Sequence, residues 1–270
     1  DSANGAANDD TLQIAVVPKG TTHEFWKSVH AGAEAAARDL GVKVIWKGPI
    51  REDDRAEQVQ IVENFVVRGV DGIVLMPMDR KALVTPAEEA GGQGIPVVVA
   101  DSDLDWEGRT SFVATDNRRG GELAGEALVE MMGGEGSVIL LRYQEGSAST
   151  FEREEGFLAA VGKAAGIEVI SSNQYAGATN EGAYQASENL LNSFTDVDGI
   201  FCPNESAAFG MLRALQDSGR TEDVAFVGFD ASEKLVEALR AGEIDALVLQ
   251  DPVRMGELSV RACVAAARGE

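Results

Sequence analysis

Two cysteines, two histidines and no apolar run of 18 residues set the first limits on this 270-residue chain. Cys202 and Cys263 are too few for a disulfide framework, and each lies in an apolar stretch, so both are read as small buried hydrophobes. So few histidines and such scattered cysteines leave no metal constellation, and no metal or cofactor is expected. Without 18 apolar residues in a row, no segment is expected to cross a membrane as a helix. Basic residues are also scarce: 23 Lys and Arg stand against 45 Asp and Glu, for a net charge of −22. With no basic stripe, nucleic acid and anionic membrane surfaces are poor partners, and the negative charge is assigned to solubility.

Enzyme signatures are missing too. Gly91-Gly92-Gln93-Gly94 and Gly133-Gly134-Glu135-Gly136 precede strands, the wrong side for a phosphate-cradling turn. No G-x-x-x-x-G-K-[ST] loop follows the first strand, and no G-x-S-x-G elbow is present. His23-Glu24 opens like a zinc-protease helix, but Lys27 stands where the second histidine is required. Asn204-Glu205-Ser206 matches a glycosylation sequon and is read as coincidence on a site-facing turn.

What the chain does contain is a long-range repeat. Val70-Asp71-Gly72-Ile73 recurs as Val197-Asp198-Gly199-Ile200, an offset of 127. Gly41-Val42-Lys43-Val44-Ile45 is answered by Gly166-Ile167-Glu168-Val169-Ile170, and the run from Ile95 to Asp101 by Val224 to Asp230. One repeat at half-chain scale means two similar lobes, and clefts between domains are preferred ligand sites.

Short Val- and Ile-rich runs predict strands at 12–17, 42–47, 71–76, 95–100, 111–115, 136–142, 167–171, 197–202, 224–229 and 244–249. Helical patterns lie near 24–40, 54–68, 80–92, 117–132, 151–164, 180–194, 206–218, 232–241 and 253–268. In the first of these, Gly32 is expected to let the helix approach the sheet. Alternating β and α units give an α/β protein of two doubly wound parallel-sheet lobes with a ligand cleft between them. The expected division is a flexible leader at 1–10, an N-terminal lobe from 11–115 plus 251–270, and a C-terminal lobe from 116–250. The acidic leader fits either the stub of a removed export signal or an arbitrary boundary.

In such sheets ligands bind beyond the carboxyl ends of the strands. That rule selects Lys19 to Trp26, then Asp101 and Ser102, the segment from 142 to Arg153, and finally Asn204, Asp230 and Gln250. Phe25 and Trp26 are adjacent, so both cannot face the sheet; either core packing or stacking on a polyol's C–H face accounts for them. Asp101 and Asp230 end equivalent strands, either to accept ligand hydroxyls or to cap the following helix. Arg153 is a donor to ligand or a surface charge partner at a helix start. Asn204 offers both donor and acceptor, and Gln250 either does the same or bridges a hinge.

In this order and spacing the chain resembles periplasmic sugar-binding proteins of the ribose- and galactose-type group that serve ABC transporters. The resemblance rests on the runs His23 to Val29, Val97 to Asp101, Thr115 to Gly121, Phe151 to Phe157, Asn204 to Gly210 and Val227 to Asp230. It implies the type 1 periplasmic binding protein fold, a monomer whose lobes are joined by three strands and close by a hinge around a monosaccharide. It also implies an extracytoplasmic protein that performs no chemistry and hands its ligand to the membrane subunits of an ABC transporter. Direct membrane insertion is not implied, and there is room for a lipid anchor upstream of residue 1. His23, Phe25 and Trp26 would come from the first lobe with Asp101; Arg153, Asn204, Asp230 and Gln250 from the second lobe and hinge, with Phe229 beside them. Two departures argue against ribose in the same pose: Ser102 replaces an arginine of the ribose-type pattern, and Ala178 replaces an aromatic. A neutral sugar or polyol of different shape or larger size is expected. The chain also stops before the last crossing of the family pattern. The alternatives are the effector domain of a LacI-type regulator, which would need a DNA-binding helix-turn-helix before residue 11, and an enzyme on the same scaffold.

Overall fold

A computed structural model describes residues 11–270; the leader expected at 1–10 lies outside them. Among the described residues there are ten strands and nine helices, in two parallel five-stranded sheets. The first sheet holds β1 (Gln13–Val17), β2 (Lys43–Trp46), β3 (Gly72–Leu75), β4 (Val97–Ala100) and β5 (Ser111–Val113), in the order β2-β1-β3-β4-β5. The second holds β6 (Glu135–Arg142), β7 (Gly166–Tyr175), β8 (Gly199–Phe201), β9 (Ala225–Phe229) and β10 (Ala246–Val248), in the order β10-β9-β8-β6-β7. Read from its other edge, the second order is the first one repeated. The helices are α1 (Glu24–Leu40), α2 (Arg55–Arg68), α3 (Val84–Gly92), α4 (Asn117–Met131), α5 (Ala148–Val161), α6 (Asn180–Ser193), α7 (Glu205–Ser218), α8 (Glu233–Ala241) and α9 (Pro252–Ala267).

The sequence repeat is a repeat of structure. Asp71 precedes β3 and accepts the Gln13 N–H at 2.7 Å; Asp198 precedes β8 and accepts the Ser137 N–H at 2.7 Å. The repeated aspartate thus staples the third strand of each lobe to the first. Central strands send alternate residues to opposite cores, as a sheet covered on both faces requires. In β4, Val97 and Val99 join one cluster with Leu83 and Phe65, while Val98 and Ala100 join another with Trp26 and Val260. Cys202 and Cys263 are buried and free, and burial raises both thiols, Cys263 to about 12.

Two helix starts differ from expectation. The Asp79 carboxylate takes the N–H groups of Lys81 and Ala82 at 2.8 and 2.9 Å, holding a turn there, so α3 begins only at Val84. Conversely α5 begins at Ala148, three residues early, which puts Arg153 in its second turn. Gly32 also serves differently: a Cβ there would lie 1.9 Å from the Val253 carbonyl oxygen, so it admits α9, not the sheet. Gly256 returns the contact against Val29. In the second lobe Gly121 and Gly156 do the same for α4 and α5, against the carbonyls of Arg153 and Arg118.

The chain changes lobe after β5, through Thr115 and Asp116 into α4, and returns after β10, through Gln250 and Asp251 into α9. Asp116 and Asp251 cap those helices, accepting the N–H groups of Arg119 and Arg254 at 3.0 Å each. The two crossings within the described residues are tied by Thr115 Oγ1 donating to Gln250 Oε1 at 2.7 Å. No described helix is long and apolar enough to cross a membrane.

Candidate functional site

The carboxyl ends of both sheets face one another across a small cavity, about 330 Å³ with the space at its open mouth included. His23, Phe25, Trp26, Asp101, Arg153, Asn204, Asp230 and Gln250 all line it. Ser102 and Phe229 do not. The Ser102 side chain is turned to the other lobe, where Oγ accepts the Ser149 N–H at 2.9 Å. Phe229 is sealed in the second lobe's core, and the Arg153 guanidinium lies 4.0 Å over its ring.

Asp101 and Asp230 are the two non-glycine residues with left-handed backbone among those described, φ 61° and 73°. Each follows the fourth strand of its sheet and donates its N–H to the fifth, Asp101 to Val113 and Asp230 to Val248. Aspartate tolerates this conformation better than most side chains, and such strain concentrates at functional sites. Neither caps the helix that follows. Asp230, 7% exposed, accepts Gln250 Nε2 at 2.7 Å and, from the start of α7, the Glu205 N–H at 2.9 Å. Burial raises its carboxyl above the usual range, against the opposing pull of Arg153. Asp101, 3% exposed, pairs with Lys19 Nζ at 2.7 Å, and its Oδ2 has no well-aligned hydrogen bond.

Arg153 is 2% exposed, not a surface charge partner. Its Nε donates to Asn117 Oδ1 at 2.8 Å and Nη1 to the Pro203 carbonyl at 2.9 Å. Those bonds stay within the second lobe. Asn204 caps α7 through the Ala207 N–H at 3.3 Å while lining the cavity. Gln250 bridges the two crossings and holds Asp230.

The remaining lining residues are Lys19, Glu52, Tyr143, Ser149, Thr150 and Glu205. Glu52 is buried and its carboxylate accepts Trp26 Nε1 at 2.5 Å, Tyr143 OH at 2.6 Å and His23 Nδ1 at 2.7 Å. Burial alone would lower the His23 imidazole, yet the Glu52 carboxylate outweighs it and raises the ring to about 9. Burial likewise works to raise Glu52, and His23 with Lys19 and Tyr143 reverses it to about 2. Trp26 therefore has its ring wall set by a carboxylate, with Phe25 edge-on at 4.9 Å. In sequence, Glu52 sits in Arg51-Glu52-Asp53-Asp54, which reads as a solvated charge run. Lys19, Tyr143, Ser149 and Thr150 fall inside the strand-end stretches, but nothing in their residue types singles them out.

The lobes touch around the cavity. Lys19 Nζ donates to Ser149 Oγ at 2.9 Å, Gln144 Nε2 to the Glu52 carbonyl at 3.0 Å, and the Arg80 N–H to the Gly146 carbonyl at 3.0 Å. Glu205 accepts the N–H groups of Glu24 and Phe25 at 3.2 and 3.1 Å, and Glu24 accepts that of Glu233 at 2.9 Å. This is a closed cleft.

Residues 14–270 match the family described as periplasmic binding protein domain. The ribose import binding protein of Escherichia coli K12 is 31% identical over 269 residues, spanning 100% of this chain and 88% of the relative. The crystal structure of an ABC-type sugar transport system periplasmic component from Hahella chejuensis has a TM-score of 0.92 at 36% identity, covering 95% and 94% of the two chains. A carbohydrate transporter solute binding protein from Agrobacterium radiobacter, in complex with D-arabinose, has a TM-score of 0.93 at 32% identity, covering 97% and 90%.

Proposed function

The chain belongs to the periplasmic binding protein family, and from that premise we propose that it captures a monosaccharide or similar polyol between its lobes for an ABC transporter. The carrying observation is the pair of equivalent strand ends, Asp101 and Asp230, aimed from opposite lobes into one small cavity with an aromatic wall. Neighbouring hydroxyls can satisfy two buried carboxylates at once. The rings of Phe25 and Trp26 suit a sugar's C–H face, and Lys19, Arg153 and His23 supply donors. In this reading Arg153, Asn204 and Gln250 contact the ligand, while Ser102 and Phe229 support the contacting residues. The protein works outside the cytoplasmic membrane and carries out no reaction. The relatives are import binding proteins rather than regulators, so the effector-domain alternative is set aside.

A thermal-shift panel of pentoses, hexoses, polyols and sugar phosphates tests the reading, because a ligand of the native state raises the melting temperature. At least one neutral monosaccharide should raise it. A panel with no shift for any sugar, or a larger shift for a sugar phosphate than for every neutral sugar, would overturn the proposal.

A further inference from the structure

A second cavity lies directly outside the first. With the space at its open mouth included, it measures about 820 Å³ against about 330 Å³ for the inner one, and His23, Glu52 and Glu205 wall both. Both lobes contribute to its outer part, Lys27 from α1 and Ala178, Asn180, Phe209, Ser232 and Lys234 from the second lobe. Ala178 is buried and offers only a methyl group to the wall, so nothing larger divides or fills the space.

Thr22, Arg51 and Thr179 on its wall have partners, but other polar groups there are unspent. Lys27 and Lys234 have no carboxylate partner among the described residues, in a chain with 45 acids to 23 bases. Ser232 precedes α8 yet makes no side-chain cap bond. Phe209 is half-buried and presents a ring, with the Lys234 ammonium 5.0 Å from its centroid. Converging hydrogen-bonding groups beside an aromatic face are what a binding pocket needs. Of the acids that reach this space, Glu24 and Glu205 are occupied by backbone N–H groups and Glu52 by Trp26, His23 and Tyr143.

We propose that the outer cavity is a second sugar subsite, so that the ligand is a disaccharide or comparable glycoside. One ring lies against Asp101 and Asp230, and the second is held by Lys27, Asn180, Ser232 and Lys234 against Phe209. The outer space is the wider of the two and opens to solvent, so a second ring can enter it beside one held inside. This rests on the sugar-binding reading above.

Calorimetric titration of free monosaccharides and of the disaccharides built from them tests it. At least one disaccharide should bind about tenfold or more tightly than either of its component monosaccharides, a difference of about 1.4 kcal/mol. Ala178→Trp should abolish that gain while leaving monosaccharide affinity within about twofold. Lys27→Ala, at an exposed and unpaired position, should weaken only the disaccharide, by about three- to tenfold. If no disaccharide outbinds its components, or if the gain survives both substitutions, the second subsite is wrong and the sugar reading stands. If no sugar of either size binds, both fall.

Discussion

Glu52 gathers three donors on one buried carboxylate, two from its own lobe and the Tyr143 hydroxyl from the other. Its pairing with His23 makes a pH signature. The His23 ring titrates at about 9 in the folded protein, above its ordinary 6.5, so its contribution to stability is complete below 6.5 and disappears as pH rises through about 9. The Glu52 carboxyl is lowered from 4.5 to about 2, so its contribution is complete above 4.5 and disappears as pH falls through about 2. The pair is at full strength between 4.5 and 6.5. Thermal denaturation across pH should therefore show a loss of stability from neutral to alkaline pH that Glu52→Gln removes. In the same variant the imidazole proton signals should titrate well below 9. An unchanged titration would strip Glu52 of this role. Arg153→Ala should weaken sugar binding by about tenfold to a few hundredfold, from hydrogen bonds of about 1.5–3 kcal/mol involving a charged donor. It should also lower the melting temperature of the ligand-free protein, because Asn117 and Pro203 lose a partner that does not depend on closure.

Among the helices, α1 and α8 begin without side-chain caps of their own. Their first N–H groups are instead taken across the cleft, by Glu205 for α1 and by Glu24 for α8. These bonds require the lobes to be together, so they favour the closed state over the open one. A helix cap contributes about 1 kcal/mol, so Glu205→Ala should weaken ligand binding about fivefold. Stopped-flow measurements should place most of that in faster release, with the ligand-free melting temperature little changed. Equal affinity in the variant would refute the cross-cleft capping role. The glycine contact between α4 and α5 acts otherwise. A methyl on Gly121 would press on the carbonyl of Arg153, so Gly121→Ala should cost about 1–3 kcal/mol of stability and displace Arg153 as well. Melting and titration on that one variant should both move; a shift in stability alone would mean α5 keeps its place.

For the molecule as a whole, the two lobes share two tied crossings within the described residues and an interface made largely of hydrogen bonds around the site. Such an arrangement is expected to open and close as a hinge. Solution scattering should give a smaller radius of gyration with saturating sugar than without it, and an unchanged radius would rule hinge closure out. The Thr115–Gln250 bond ties the two segments that pass between the sheets, and we propose it as the pivot. Thr115→Val should change the open-to-closed balance seen by scattering while leaving each lobe's own fold intact.

The Val-Asp-Gly-Ile repeat, the unbroken apolar runs and the helical patterns locate each strand and helix, though not the starts of α3 and α5, because parallel strands buried on both faces demand unbroken apolar runs. The same patterns located the strand ends, and with them eight lining residues from His23 to Gln250, since the chain's direction alone decides which end of a parallel sheet is the ligand end. Side-chain partners across the cleft lay beyond reach. Glu52 sits far from Tyr143 in sequence and in an acidic loop that looks solvated, and only the docking of the lobes turns it into a buried hub. Ser102 and Phe229 adjoin Asp101 and Asp230 in the chain but do not line the cavity, because the left-handed backbone at each aspartate breaks the strand's alternation and the neighbours are taken up by Ser149 and by the second lobe's core. Gly32 was legible as a small residue, yet whether it admits a sheet or a helix depends on α9, which returns from the far end of the chain. Local pattern is written in neighbours along the chain; the site is made of residues from two lobes, and their meeting is a property of the closed structure.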